Sequence, residues 1–363
     1  MSTAVATIAE VPRERRHEHW DLDHEALILR RGPRSGVSVM VAVHSTRLGP
    51  ALGGCRMWRY RDADAAVGDV LRLSSAMTLK AAAAGLSLGG GKGVICLPPG
   101  PAPAGDHREE ILHDFAEVVA ELDGSFITAE DVGTTTQDMV AIRAVTPHVV
   151  GLPETTGGAG DPGMFTALGV RAAMRACAQQ AFGSPELAQR TVAIIGVGSV
   201  GGALARLLAA DGAELLLADI DASKRALEPG LAGARWTAPV DALEADVDIV
   251  APCALGGMID AHTATRLRAR VVCGSANNQL DDDAVADLLA AQGVLYAPDF
   301  LVNSGGLIDV SLELEGYDRA QAQRRVGQLE DVVSDVLARA EKRGQTPLRA
   351  ARELAAARLA AAV

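Results

Sequence analysis

Two α/β domains are the fold class this sequence predicts, and three observations carry the prediction. At 363 residues the chain exceeds what a single hydrophobic core usually organises. It is 48% hydrophobic but only 3% aromatic, so alanine, valine, leucine and glycine must build an interior of helices packed closely on sheets. Short β-branched runs alternate with helical periodicity along the chain, the pattern of repeated strand-helix units. A formal charge of −12, with no basic stripe, argues against a nucleic-acid or anionic-membrane partner; residues 13–16 are basic but short and include a glutamate. No run approaches the ~18 uninterrupted apolar residues that span a bilayer, and the N-terminus shows no signal-type apolar core, so a cytoplasmic protein is expected. Cys55, Cys96, Cys177, Cys253 and Cys273 are scattered without a CxxC pair or nearby histidines, which fits reduced, mostly buried thiols and no metal site.

In chain order, residues 64–84 come first. Val67, Val70, Leu71, Leu73 and Met77 recur at helical spacing, and Lys80 continues that stripe, which predicts a helix with Lys80 pointing inward. Twelve residues later Lys92 follows three glycines and precedes an apolar run ended by Pro98 and Pro99. This reads as a glycine-rich loop entering a strand over 94–97, where backbone and ligand can approach closely. Burial beside a second cation disfavours a lysine's charged form, so an inward pair can supply an anion clamp and a base. Residues 126–128 read as a short strand running into a polar turn that carries Glu130 and Asp131, with a helix from near Thr136. A carboxylate there serves equally as a helix cap or, beside two lysines, as a proton partner. The GGAGDP stretch over 157–162 is the candidate hinge.

The second half opens on TVAIIGVGSVGG, residues 191–202. A bare GxGxxG is weak, but this one follows a β-branched strand, opens an Ala/Leu helix, and leads to a second strand ending at Asp219. Those contexts define a Rossmann-type dinucleotide fingerprint, with Gly196 for the turn, Gly198 for pyrophosphate approach and Gly201 for helix packing. The helix N-terminus offers free N–H groups to the pyrophosphate. Asp219 suits ribose hydroxyls and repels a 2′-phosphate, which favours NAD over NADP. Apolar runs at 247–251, 271–273 and 294–296 continue the sheet, and Cys253 at one strand end is a candidate lining of the cofactor crevice, although packing explains it equally. Residues 330–363 are helical by pattern.

The chain resembles the amino-acid dehydrogenases of the glutamate/leucine/phenylalanine/valine group, most closely the leucine and valine branch. The resemblance is carried by LGPALGGCRM (48–57), MTLK (77–80), GGGKGVI (89–95), TAEDVGT (128–134), APCALGG (251–257), GSANNQ (274–279) and YAPDFLVNSGG (296–306). It implies that Lys80 binds the substrate α-carboxylate, Lys92 is the catalytic base, and Asp131 assists proton transfer. Asn278 and the backbone at Gly53 and Gly54 would fix the substrate, and Thr166 would reach the nicotinamide carboxamide. The cofactor would contact Gly196, Val197, Gly198, Ser199, Val200, Gly201 and Asp219, together with Cys253, Ala254, Asn277 and Asn303. The implied reaction is reversible oxidative deamination. Hydride leaves Cα for NAD, water activated by Lys92 attacks the imine, and the adduct collapses to a 2-oxo acid and ammonia. Lys92 is expected to work at moderate pH because Lys80 and burial disfavour its protonated form.

In this family the side-chain pocket matches Leu52, Ala129, Leu307 and Val310. Leu52 supplies no cation for a distal carboxylate and closes space that an aromatic ring would need, so a branched aliphatic substrate is expected. One methylene discriminates by only about 1–3 kcal/mol, which leaves leucine, valine and isoleucine open. An aromatic amino-acid dehydrogenase is the enzyme alternative. A dinucleotide-sensing regulator would be marked by loss of Lys80, Lys92 or Asp131, and all three are present. The expected organisation is a substrate domain over 1–153, an NAD-binding domain over 154–324, a C-terminal helical segment over 325–363 returning to the first, and homo-oligomeric assembly.

Overall fold

The computed structural model describes residues 23–227, 231 and 233–362; the basic stretch at 13–16 lies outside them. Two sheets organise the chain. The first contains β1 (Ala26–Arg31), β2 (Ser38–Ser45), β3 (Ala51–Trp58), β4 (Gly89–Cys96) and β5 (Phe126–Glu130) in the order β1-β2-β4-β3-β5. β4 is central, antiparallel to β2 and parallel to β3. α1 (Ala63–Ala84) provides the β3-to-β4 crossover, α2 (Gly105–Glu121) lies between β4 and β5, and α3 (Thr136–Arg143) follows. Asp62 caps α1 by accepting from the Ala65 N–H, and Gly85 ends it in the left-handed region. The helix predicted near Thr136 is α3, closed by a reciprocal Thr135/Asp138 capping box.

The glycine run is not the predicted loop. Gly89, Gly90 and Gly91 already belong to β4, and Lys92 sits inside the strand. The reason is interlayer distance: a Cβ on Gly90 would lie 2.0 Å from the Thr78 backbone nitrogen, and one on Gly91 would lie 2.6 Å from the Phe126 ring. Glycine is required because α1 presses directly on the sheet. A sequence rule that treats glycine as punctuation misreads such a strand.

The second sheet is fully parallel and contains β6 (Thr191–Ile195), β7 (Glu214–Ala218), β8 (Arg235–Trp236), β9 (Ile249–Pro252), β10 (Val271–Val272) and β11 (Leu295–Tyr296), in the order β11-β10-β9-β6-β7-β8. The order reverses between β6 and β9, the switch point at which open α/β sheets bind ligands. α4 (Gly163–Phe182) leads into this unit and α5 (Ser199–Ala210) follows β6. One continuous core joins Leu52, Ala82 and Ala129 of the first unit to Phe165, Leu307 and Val310.

The C-terminal segment forms two helices, Leu329–Arg343 and Pro347–Ala361, separated at Gly344 in the left-handed region. The second reaches α1: Arg358 Nη1 donates to the carbonyls of Ala82 and Ala83 at 2.8 and 2.6 Å, satisfying acceptors that the end of the helix leaves free. Cys55, Cys177 and Cys273 are buried, Cys96 and Cys253 half-buried, and all five are free thiols. Among the described residues no helix is long and apolar enough to cross a membrane.

Candidate active site

α1 and β4 bring the two lysines to the same cavity of about 280 Å³, together with Asp131. Lys80 projects from near the C-terminal end of α1, and its Nζ donates to Asn277 Oδ1 at 3.3 Å. Burial, opposed by Asp299 and reinforced by Lys92, pushes Lys80 down to about 8. Lys92, 5% exposed, meets Asp131 Oδ2 at 2.9 Å. Sequence reasoning gave Lys92 a cation for company; the structure adds a carboxylate in direct contact. Burial acts to raise Asp131, but Lys92 and then Arg56 outweigh it and hold the carboxyl at about 2. At neutral pH Asp131 is therefore a fixed carboxylate and accepts hydrogen bonds from both cations.

The opposite wall comes from the second unit through Thr166, Val200, Ser275, Asn277, Asn303, Leu307 and Val310. Asn303 Nδ2 donates to Asn277 Oδ1 at 2.7 Å and to the Ser275 carbonyl at 3.1 Å, which fixes the carboxamide that faces Lys80. Asn278, expected beside the substrate, is not brought here. It sits in the left-handed region at φ 51° and lines the neighbouring cleft with Arg56, Trp58 and Leu255. The adjacent asparagine takes the position against Lys80, and no spacing rule separates two consecutive identical residues. Leu52, Gly54 and Ala129 line the cavity, whereas Gly53 does not, because a Cβ there would lie 1.8 Å from the Gly91 carbonyl oxygen.

The fingerprint loop follows β6 at the switch point. Gly196 has φ 97°, and a Cβ there would meet Ala254 at 2.7 Å, so the loops after β6 and β9 touch. Cys253 continues the second loop, its N–H donating to the Ile195 carbonyl at 2.7 Å. Asp219 accepts from the Val197 N–H at 2.7 Å and the Asp221 N–H at 2.8 Å, which binds the end of β7 to the loop. The N-terminus of α5 has no side-chain cap, and the space a Gly198 Cβ would point into is open. Free N–H groups beside open space fit a pyrophosphate. Ser199 Oγ donates to Asp161 at 3.0 Å, and Thr166 Oγ1 donates to the Pro162 carbonyl at 3.0 Å. Gly201 packs on Gly196, where a Cβ would lie 1.9 Å from its carbonyl oxygen.

Three cavity residues had no role in the sequence reading: Met77, Glu130 and Ser275. Burial, then Asp161 and Asp131, raise Glu130 to about 7. Arg56 was also missed; its Nε donates to Asp131 Oδ2 at 3.0 Å. Both Glu130 and Arg56 lie inside motifs already singled out, so the available signal was a charged residue at a strand end next to a reactive one.

The first unit and the C-terminal part match two family profiles, "Glu/Leu/Phe/Val dehydrogenase, dimerisation domain" over residues 30–148 and "Glutamate/Leucine/Phenylalanine/Valine dehydrogenase" over 216–363. The chain is 42% identical to the leucine dehydrogenase of Bacillus subtilis (strain 168), over 93% of this chain and 92% of that one. It is 41% identical to the valine dehydrogenase of Streptomyces albus, over 93% of each. Among solved structures, L-tryptophan dehydrogenase from Nostoc punctiforme superposes with a TM-score of 0.79 at 36% identity, covering 93% of this chain and 97% of that one. Identity at this level over nearly the whole length, on the fold and cavity described above, places the chain in the glutamate/leucine/phenylalanine/valine dehydrogenase family of amino-acid dehydrogenases.

Proposed function

We propose that this enzyme catalyses the NAD-dependent, reversible oxidative deamination of a branched-chain aliphatic L-amino acid to its 2-oxo acid and ammonia. The observation that carries the reading is the meeting of Lys80, Lys92 and Asp131 in one cavity whose far wall is built by the nucleotide-type unit. The aliphatic wall of Leu52, Ala129, Leu307 and Val310 supports the substrate class, as do relatives named for leucine and valine. NAD, when bound, accepts the hydride released from Cα. Lys80, steadied by Asn277, holds the α-carboxylate as an ammonium. Neutral Lys92 takes a proton from the water that attacks the imine carbon, then returns it to the departing amine. Asp131 remains ionised throughout and orients Lys92 while stabilising its charged form. Thr166 faces the nicotinamide carboxamide. Gly198, Ser199, Val200 and Gly201 receive the pyrophosphate, with Asp219 on the ribose and Cys253 and Ala254 beside the nicotinamide.

In this reading residues 1–153 with 325–363 serve the substrate and residues 154–324 the nucleotide, and closure between them excludes water. Assembly is as a homo-oligomer, supported by the family description of the first unit as a dimerisation domain. Initial rates followed by NADH absorbance with leucine, valine, isoleucine, phenylalanine, tryptophan and glutamate test the proposal. The aliphatic three should lead. Turnover with none of the six defeats the deaminase reading, and a preference for an aromatic substrate defeats the pocket argument. Lys92→Ala should abolish turnover while leaving NADH binding intact.

A further inference from the structure

Arg56 stands outside the reaction cavity, yet it controls the group that touches the proposed base. It leaves β3 two residues before the end of the strand, is 20% exposed in its side chain, and lines the outer cleft of about 560 Å³. Its Nε donates to Asp131 Oδ2 at 3.0 Å, the same oxygen that meets Lys92 Nζ at 2.9 Å. Its Nη1 donates to Asp69 Oδ2 at 3.0 Å on α1. Asp69 is itself fixed, accepting from Tyr60 Oη at 2.7 Å and from Arg72 Nη2 at 2.6 Å. The line Lys92, Asp131, Arg56, Asp69 thus forms the wall between the two cavities and ties β4, β5, β3 and α1 together.

We propose that Arg56 is a positioning residue that splits the attraction of Asp131 between two cations, so that Lys92 releases its proton more readily than it would in an exclusive ion pair. The inference rests on the reading of Lys92 as the base. Two features make the arrangement specific. A planar guanidinium reaches two carboxylates at once in fixed geometry, which an ammonium cannot reproduce. The contact is also one-sided: both cations meet Oδ2, so a proton gained by Lys92 is felt directly at the oxygen Arg56 already polarises. Removing the guanidinium leaves Asp131 wholly to Lys92 and removes a nearby positive charge, and both changes favour the lysine's charged form. The other charged or titratable groups facing this pair are Lys80 from α1, Glu130 next to Asp131, the buried Cys55 thiol of β3, and the Asp138–Arg108 pair. All are unchanged in the substitutions proposed, so a shift in behaviour reports Arg56.

The test uses Arg56→Met, Arg56→Lys and Asp69→Asn in the full chain, with two readouts. The first is the pH profile of kcat for oxidative deamination. In Arg56→Met the acid limb should move up by about one pH unit, kcat near neutral pH should fall about tenfold, and KM and NADH affinity should change less than about threefold. Arg56→Lys should recover less than half of the lost rate, and Asp69→Asn should move the limb in the same direction by a smaller amount. The second readout needs no turnover: reductive methylation of Lys92 with formaldehyde and cyanoborohydride, followed by peptide mass spectrometry across pH. Its midpoint should rise in Arg56→Met. Unmoved midpoint and limb in Arg56→Met overturn the proposal, as does a rate loss that is the same at every pH. If methylation shifts as stated but no amino acid turns over in the parent enzyme, the positioning of Lys92 by Arg56 stands and the deaminase reading falls.

Discussion

Gly90→Ala tests whether the glycine run is a close-packed strand or a ligand loop. The new Cβ would lie 2.0 Å from the Thr78 backbone nitrogen, 2.3 Å from its Oγ1 and 2.5 Å from its Cα, against ordinary contact from 3.4 Å. The worst contact is with helix backbone, so rotamer change cannot relieve it; α1 and β4 must separate by on the order of 1.4 Å, less whatever the rest of the core absorbs. Thr78 is two residues before Lys80 on α1, and Gly90 two residues before Lys92 on β4. The separation therefore acts directly on the lysine pair. Overpacking of this kind costs about 1–3 kcal/mol of stability, and misplacing reacting groups by ~1 Å costs about 100-fold in rate. The expected result is a lower melting temperature and kcat/KM reduced about 100-fold, with NADH affinity retained because the switch point lies on the other sheet. Gly198→Ala is the contrast: its Cβ meets nothing within 4 Å, so stability should hold while NADH binding weakens. Wild-type melting and kcat/KM in Gly90→Ala would refute the packing argument.

Three further outcomes follow from the same geometry. Because burial sets Lys80 at about 8, KM for the 2-oxo acid should climb as pH rises through that value, where the free enzyme loses its ammonium clamp; a flat KM across this range removes Lys80 from carboxylate binding. Leu307→Ala removes three carbons from the cavity wall, so the phenylalanine-to-leucine ratio of kcat/KM should rise at least about tenfold, given about 1–3 kcal/mol per methylene, and an unchanged ratio in a substrate panel sinks the pocket assignment. Asp131, whose carboxyl is held at about 2 rather than 3.8, contributes stability on the order of 2 kcal/mol above its unfolded value. That contribution is fully present above pH ~4 and is lost as pH falls towards ~2. Denaturant melts of wild type and Asp131→Asn should accordingly converge over this window, and a constant gap would contradict the linkage.

Most of the architecture was legible because its signals are local. The β-branched run before Gly196, the Ala/Leu helix after it and the acid at the end of the next strand are each written in consecutive residues, and Lys80 extends a helical stripe that Val67, Val70 and Leu73 already define. What was misread depends on distance across layers. Gly89 to Gly91 resemble a loop until α1 is seen lying within reach of their missing side chains. Asn277 and Asn278 are indistinguishable until φ at Asn278 turns one towards the outer cleft and leaves the other on Lys80. The partner of Lys92 shows the same limit most clearly. By sequence its neighbour is Lys80, twelve residues away on the adjoining helix. In space, the parallel pairing of β3 with both β4 and β5 carries Asp131, 39 residues further along, to 2.9 Å from Lys92 and brings Arg56 to the same oxygen. The chemistry of this cavity is therefore set less by two cations repelling each other than by one carboxylate shared between two cations. That is a property of strand register, and it explains why a single substitution in β4 and one at Arg56 are expected to damage catalysis by different routes.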